Sequence, residues 1–478
     1  MTKPSGEASH SELRAPIPYP LFPIPYPLSP IPYPLFPIPY SLSPFHSKSI
    51  ALQLKRLFMK NLVLIGGGHS HAVALRLLGL HPLPDVELTL ITDVLDTPYS
   101  GMLPGYIGGF YSFAECHIQL RYLAQFARSR LVLDRAIGLD LPNKQVICRA
   151  QPPIAFDWLS IDIGSTPAIA AIPGAVEYAI PAKPVPQLLA AWDRLVASLQ
   201  SQPELFGDRP LRLGIVGGGA GGVELALTMQ TRLCQVFRAG GLSPDLVEIH
   251  LFHRQLNLMT ENPTGVGRYF EQLLTQRGIH LHLGETVQQI AVVSESESSS
   301  DRSDRPLEKL IHSDSGDRTT CDYIFWVTQA TAPTWLKESG LATDERGFIL
   351  VNDTLQSISH PEILATGDIA TILHHPRPKA GVFAVRQGKP LVENLRSIAS
   401  ASSPRPFYPQ KRHLALIGTG EARAVAAWGR YWVGPSAWLW CWKDWIDRRF
   451  MAQFSKLPRS STNDPQQTPD RIDRHSDV

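Results

Sequence analysis

The sequence is poor in cysteine, in charge imbalance and in long apolar runs, and each shortage removes a class of protein. Its five cysteines, Cys116, Cys148, Cys234, Cys321 and Cys441, form no C-x-x-C pair and no repeated spacing. No disulfide framework, metal site or dithiol relay is therefore expected, and the chain reads as belonging to a reducing, cytoplasmic compartment. Lysine and arginine total 45 against 43 acidic residues, a net charge of +2, so no strong field draws the chain to nucleic acid. No stretch approaches the roughly 20 consecutive apolar residues of a membrane-crossing helix. The length of 478 residues leaves room for two or three domains with substantial cores.

What is present begins at residues 61–75, NLVLIGGGHSHAVAL. A continuous apolar run, a glycine turn and a helical pattern predict the strand, phosphate loop and helix of a dinucleotide-binding unit. Gly66 permits the tight turn, and Gly68 lets the backbone approach a pyrophosphate at the positive helix end. His71 stands where the G-x-G-x-x-G pattern has its third glycine. One such loop is a weak signal, but residues 213–226, LGIVGGGAGGVELA, repeat it with Gly217, Gly219 and Gly222 all in place. Two copies predict two nucleotide sites.

Further along each unit the spacing names more candidates. Val86–Thr92 reads as the second strand of the first unit, and the ribose contact expected at its end falls to Asp93 or to a hydroxyl or backbone group. Thr97–Gly109, dense in glycine and proline, predicts an ordered loop or a short helix against the cofactor. Residues 118–130 read as an amphipathic helix and 131–163 as short strands, ending in a turn from Gly164 that suits a crossover between domains. In the second unit Val247–Phe252 precedes His253 and Arg254, where an acidic residue would favour NAD(H). Arg254 is either a partner for a 2′-phosphate, leaning towards NADPH, or a surface side chain. Gly367–Asp368 follows a short apolar strand, and Asp368 is the strongest single candidate to hold a sugar-alcohol chain. The helix expected from Gly381 carries Gln387 towards the same place.

The ends differ in composition. Residues 16–43 are four seven-residue units of the Pro-Ile-Pro-Tyr-Pro-Leu type, which forbid helix and central strand. We read 1–58 as an incidental proline-rich, disordered extension ahead of Met59-Lys60, with a docking segment for a proline-binding partner as the alternative. Residues 294–305 read as a solvated loop, and 457–478 as a disordered tail. Six of the ten tryptophans lie between 428 and 445. A helix from Ala437 places Trp438, Cys441, Trp442 and Trp445 on one side, with Lys443, Asp444 and Asp447–Arg449 supplying charge. Such a helix suits a membrane surface or burial against its own domain or a second subunit, as in a homodimer.

From Lys60 to Phe450 the order of these motifs resembles the pyridine nucleotide-disulfide oxidoreductase family, in its type II NADH dehydrogenase-like branch. Residues 66–71, 97–105, 383–388 and 442–451 are most similar to the flavoprotein fused ahead of selenide, water dikinase in some bacteria. The resemblance implies an α/β fold with two Rossmann-like domains and a C-terminal α+β extension. It implies FAD on a discontinuous domain, 59–205 and 336–403, through Gly66, Gly68 and Asp368; His71, Asp93, Gly164 and Gln387 are further candidates there, although His71 and Thr92 depart from the family pattern. NAD(P)H would lie on 206–335 through Gly217, Gly219, Gly222 and Glu224, with Arg254 a further candidate and 404–456 as the membrane or dimer region. Lys183 is either a solvated loop lysine or an ammonium near the flavin. The expected activity is hydride transfer from NAD(P)H to FAD, with a quinone as the simplest acceptor. A reductase serving selenium or sulfur metabolism and a non-catalytic flavin sensor are the alternatives. Sulfide:quinone chemistry is disfavoured, because it needs cysteines near the flavin and none occurs between Cys148 and Cys234.

Overall fold

The computed structural model describes residues 59–207, 209–293, 306–328 and 330–457. The proline-rich repeats, the 294–305 loop and the tail beyond 457 lie outside the described residues. The first unit opens with β1 (Lys60–Ile65), α1 (His69–Leu80), β2 (Val86–Thr92), β3 (Arg130–Leu133) and β4 (Trp158–Ile161). There follow β5 (Ile180–Pro181), α2 (Val185–Ser201), β6 (Leu211–Val216), α3 (Ala220–Ala239), β7 (Val247–His253), β8 (His280–Leu283) and β9 (Tyr323–Trp326). The chain then returns with β10 (Ile363–Ala365) and α4 (Gly381–Ala399).

These strands build two five-stranded parallel sheets. The first has the order β10-β4-β1-β2-β3, and the second β5-β9-β6-β7-β8. In each, the strand that carries the glycine loop is central. That position follows from composition: Leu62–Ile65 and Leu213–Val216 are apolar apart from one glycine, and a strand covered on both faces has no need of polar alternation. The loops they feed sit at the carboxyl ends of the strands, where open α/β sheets bind ligands. Separate apolar cores surround the two sheets. A three-stranded antiparallel meander precedes β4 in the first unit, Ala136–Ala155, and β9 in the second, Val287–Cys321.

The expected helix over 118–130 is shorter, Leu120–Phe126, because His117–Gln119 pairs antiparallel with Asp96–Pro98 instead. The Thr97–Gly109 loop ahead of it contains the short helix Leu103–Ile107.

The C-terminal part is a three-stranded antiparallel sheet, β11 (Leu414–Gly418), β12 (Ala424–Trp428) and β13 (Tyr431–Ser436), followed by α5 (Ala437–Ser455). Phe407–Tyr408 form no strand. Pro404, Pro406 and Pro409 remove the donors a ladder would need, and the Phe407 N–H goes to the Asp353 carbonyl instead. The tryptophan face of α5 is real, but its orientation departs from ordinary amphipathic packing. Trp438 and Trp445 are 68% and 55% exposed, while Lys443 and Asp447 are buried beside Leu439, Phe450 and Phe454.

Candidate functional site

The first loop is drawn between the ends of β2 and β4. Gly66 N–H donates to Ile91 O at 2.8 Å and Gly68 N–H to Asp162 O at 3.1 Å. Gly66 has φ +92°, and a Cβ there would lie 2.4 Å from the Asp162 carbonyl. Only glycine serves at that position.

His71 is fully buried and engaged with the protein rather than directed at open space. Its Nδ1 lies 2.7 Å from Gly66 O and its Nε2 2.8 Å from Ser160 Oγ. A carbonyl only accepts, so Nδ1 carries the proton and Nε2 accepts from the serine hydroxyl. Burial lowers the imidazole to about 4, which keeps the ring neutral. The ring thus bridges loop and strand β4 where a third glycine would have let helix and strand close up.

Asp162, just past β4, enters the same loop. Its carboxylate accepts the N–H groups of Ser70 at 2.9 Å and His71 at 3.1 Å. Sequence reasoning missed it. The available signal was a lone acid inside an apolar run, Ile161-Asp162-Ile163.

The Gly367–Asp368 turn stands beside it. Gln387, buried on α4, accepts the Gly367 N–H at 2.6 Å and so fixes the turn. Asp368 Oδ2 receives Lys183 Nζ at 2.5 Å, and the same ammonium reaches Ser165 Oγ at 3.1 Å. Lys183 is therefore a partner of the Gly-Asp turn. Gly164, with φ +70°, has no other part of the protein within 4 Å of the Cβ it lacks. Asp93 lies further out, half-exposed, and pairs with Arg135 at 2.6 Å.

The second loop is the more regular of the two. Gly217 N–H donates to Phe252 O at 2.9 Å, and a Cβ at Gly222 would meet Gly217 O at 1.8 Å. Glycine is required there for the close approach of helix and loop. Gly219 caps α3 in extended backbone, with no side-chain cap and nothing within 4 Å of a Cβ. The positive end of a 20-residue helix thus opens onto free space. His253 Nδ1 accepts Gly218 N–H at 3.2 Å, and Arg254 follows, exposed, at the end of β7.

Glu224 does not line the second loop. Its side chain reaches the C-terminal sheet, where Oε1 accepts the Gly418 N–H at 2.6 Å. Loss of water raises its carboxyl to about 7, against the pull of Lys443 and the Gly418 bond. Lys443 donates to Asp447 at 2.7 Å and to the Gly101 carbonyl at 2.5 Å, which pins α5 to the Thr97–Gly109 loop. Burial and the Asp447 carboxylate push the Tyr99 phenol up. This inward-facing charged cluster was not legible from the tryptophan pattern.

Two nucleotides fit what is present. Buried polar atoms without a hydrogen-bond partner lie in both units, Thr366 Oγ1 beside the Gly367–Asp368 turn and His253 Nε2 beside the second loop. Glycine cradles stand at both helix ends, and among the described residues no cluster could hold a metal ion. Two parallel sheets, each with a phosphate loop at the end of its central strand, define a two-dinucleotide oxidoreductase.

The chain belongs to the pyridine nucleotide-disulphide oxidoreductase family, which it matches over residues 60–388. It is an FAD-dependent NAD(P)H oxidoreductase. The NADH dehydrogenase-like protein YutJ of Bacillus subtilis is 22% identical over 366 residues, 76% of this chain and 90% of that protein. The alternative NAD(P)H-ubiquinone oxidoreductase C1 of Arabidopsis thaliana is 27% identical over 229 residues, 46% of this chain and 40% of that protein. Among solved structures, NDH2 of Plasmodium falciparum superposes with a TM-score of 0.65 at 13% identity, over 83% of this chain and 98% of that one.

Proposed function

We propose that the protein passes reducing equivalents from NAD(P)H through FAD to a quinone, working at a membrane surface. The orientation of α5 carries this reading: Trp438 and Trp445 face outward while Lys443 and Asp447 close on the Thr97–Gly109 loop. Trp428, Tyr431, Trp432 and Val433 of the preceding hairpin are exposed as well, with Arg430 over the Tyr431 ring and Arg449 over the Trp445 ring. Aromatic side chains with basic neighbours suit the headgroup layer, and among the described residues no helix is long and apolar enough to cross a membrane. The name of the Arabidopsis relative, an NAD(P)H-ubiquinone oxidoreductase, supports the quinone as acceptor.

FAD would be held by Gly66, Gly68, Gly164 and Asp368, with Gln387 setting the turn and Lys183 supplying positive charge nearby. NAD(P)H would be held by Gly217, Gly219 and Gly222, with Arg254 in reach of a 2′-phosphate. When bound, the flavin accepts hydride from the nicotinamide and passes electrons on. A quinone reduced by two electrons also gains two protons. Glu224, whose carboxyl titrates near neutral pH beside Lys443, is suited to hold one of them. The cysteines offer no competing dithiol route, since Cys116, nearest the loop, has its thiol pushed up to about 12 by burial.

The test is co-sedimentation with anionic vesicles together with reduction of a vesicle-borne quinone. The full chain should sediment and turn over; Trp438→Ala/Trp445→Ala should lose roughly tenfold in vesicle affinity while keeping its activity towards a water-soluble quinone. Wild-type protein that stays in the supernatant would remove the membrane part of the proposal. Turnover with oxidised selenium compounds but with no quinone would replace the acceptor.

A further inference from the structure

The pyrophosphate cradle of the first unit already contains an anion. Asp162 is 2% exposed, and its carboxylate takes two N–H groups of the first turn of α1, those of Ser70 and His71. It fills the space above the loop glycines: a Cβ on Gly68 would lie 2.3 Å from its carboxyl carbon, and one on Gly367 2.3 Å from Oδ1. Its hydrogen-bond partners are the Ser70 and His71 groups of α1 and not a cation. Asp368 faces it from the turn after β10, the His71 ring on α1 is engaged with Gly66 and Ser160, and Lys183 is committed to Asp368, which His69 also neighbours. In the second unit the corresponding helix end, at Gly219, is open. The two loops thus share a pattern and differ in charge.

We propose that Asp162 makes dinucleotide binding at the first loop proton-linked: the site accepts the flavin dinucleotide's pyrophosphate together with one proton on this carboxylate. The proposal rests on the flavin site described above. A doubly anionic pyrophosphate and an ionised aspartate at one helix end repel each other. A neutral carboxyl removes the repulsion.

The sign follows by linkage. Burial, with the nearby Asp368 charge adding to it, raises the Asp162 carboxyl to about 7 in the nucleotide-free site. A bound pyrophosphate raises it further, so binding takes up a proton wherever the free site is ionised. Below about pH 7 affinity is flat; above it, affinity falls by about tenfold per pH unit until the carboxyl ionises in the loaded site as well. His71 is neutral throughout this range. Lys183 and Asp368 are already paired with each other.

The experiment uses flavin-loaded, full-length protein, diluted stepwise between pH 6 and pH 9 and read by free-flavin fluorescence at equilibrium. The wild type should release flavin with a dissociation constant that is level below pH 7 and rises about tenfold per unit above it. Asp162→Asn keeps an acceptor for Ser70 and His71 and should make the constant independent of pH. Wild-type protein alone supplies a second reading: about one proton should be released with each flavin at pH 8, seen with an indicator dye in weak buffer. A level wild-type profile without proton release, or an unaltered slope in Asp162→Asn, overturns the proposal. A flavin held with pH-independent affinity contradicts only the role of Asp162, whereas protein that holds no flavin at any pH contradicts the flavin site itself.

Discussion

Gly219→Leu should leave the flavin in place and slow its bleaching by NADH and NADPH on the order of 100-fold. The backbone at Gly219 is extended, at φ −76° and ψ 177°, a conformation open to any residue. No protein atom lies within 4 Å of the added Cβ, so the fold has room for the side chain. A phosphate approaching the end of α3 does not. The variant separates the two sites because its damage is confined to the second. Anaerobic absorbance of the bound flavin measures it, with the unfolding midpoint as control. Bleaching at the wild-type rate would mean that the coenzyme lies elsewhere. Gly222→Ala would be a poorer probe, since its Cβ would run into Gly217 O at 1.8 Å and disturb the loop whatever the ligand.

Lys443→Met should destabilise the flavin-loaded protein by about 3–5 kcal/mol, because it removes the cation paired with the Asp447 carboxyl in the protein interior. The two side chains are only 9% and 7% exposed, and Lys443 also satisfies the Gly101 carbonyl. Their placement inside α5, rather than on its wet face, makes the effect large; an exposed pair would be worth under about 1 kcal/mol. Denaturant unfolding checks this. Lys443→Met/Asp447→Leu should recover most of the loss, since the uncompensated charge is then gone. A loss under about 1 kcal/mol in the single variant would mean that water reaches the pair. If the double variant regains stability but not quinone turnover, the pair also serves the acceptor side of the enzyme.

The parts of the fold that were legible in the sequence are those written locally. Leu62–Ile65 followed by three glycines, and Leu213–Val216 followed by three more, specify strand, turn and helix within about 15 residues each, with no distant contact needed. The helix from Gly381 and the strand before Gly367 were legible for the same reason. What failed was decided at long range. Residues 118 and 119 left the expected helix because Asp96–Pro98 offered them, with His117, a strand partner. Asp162 reads as an unremarkable polar residue after a strand, and enters the cradle only because β4 lies beside β1. Periodicity placed the tryptophans of α5 together but could not say which side faces water. Ordinarily charge decides that, and here Lys443 and Asp447 satisfy each other and turn inward. His71 was read as a flaw in the glycine pattern. The hydroxyl of Ser160 on β4 gives its ring a partner and turns the departure into a brace.

If electrons enter from NAD(P)H through a flavin and leave to a quinone, anaerobic stopped-flow of the flavin-loaded protein, mixed with NADH and NADPH in turn and then with a quinone, shows it most directly. Rapid loss of the oxidised-flavin absorbance is expected with at least one coenzyme, and its return when the quinone is added. A flavin that neither coenzyme bleaches would contradict it.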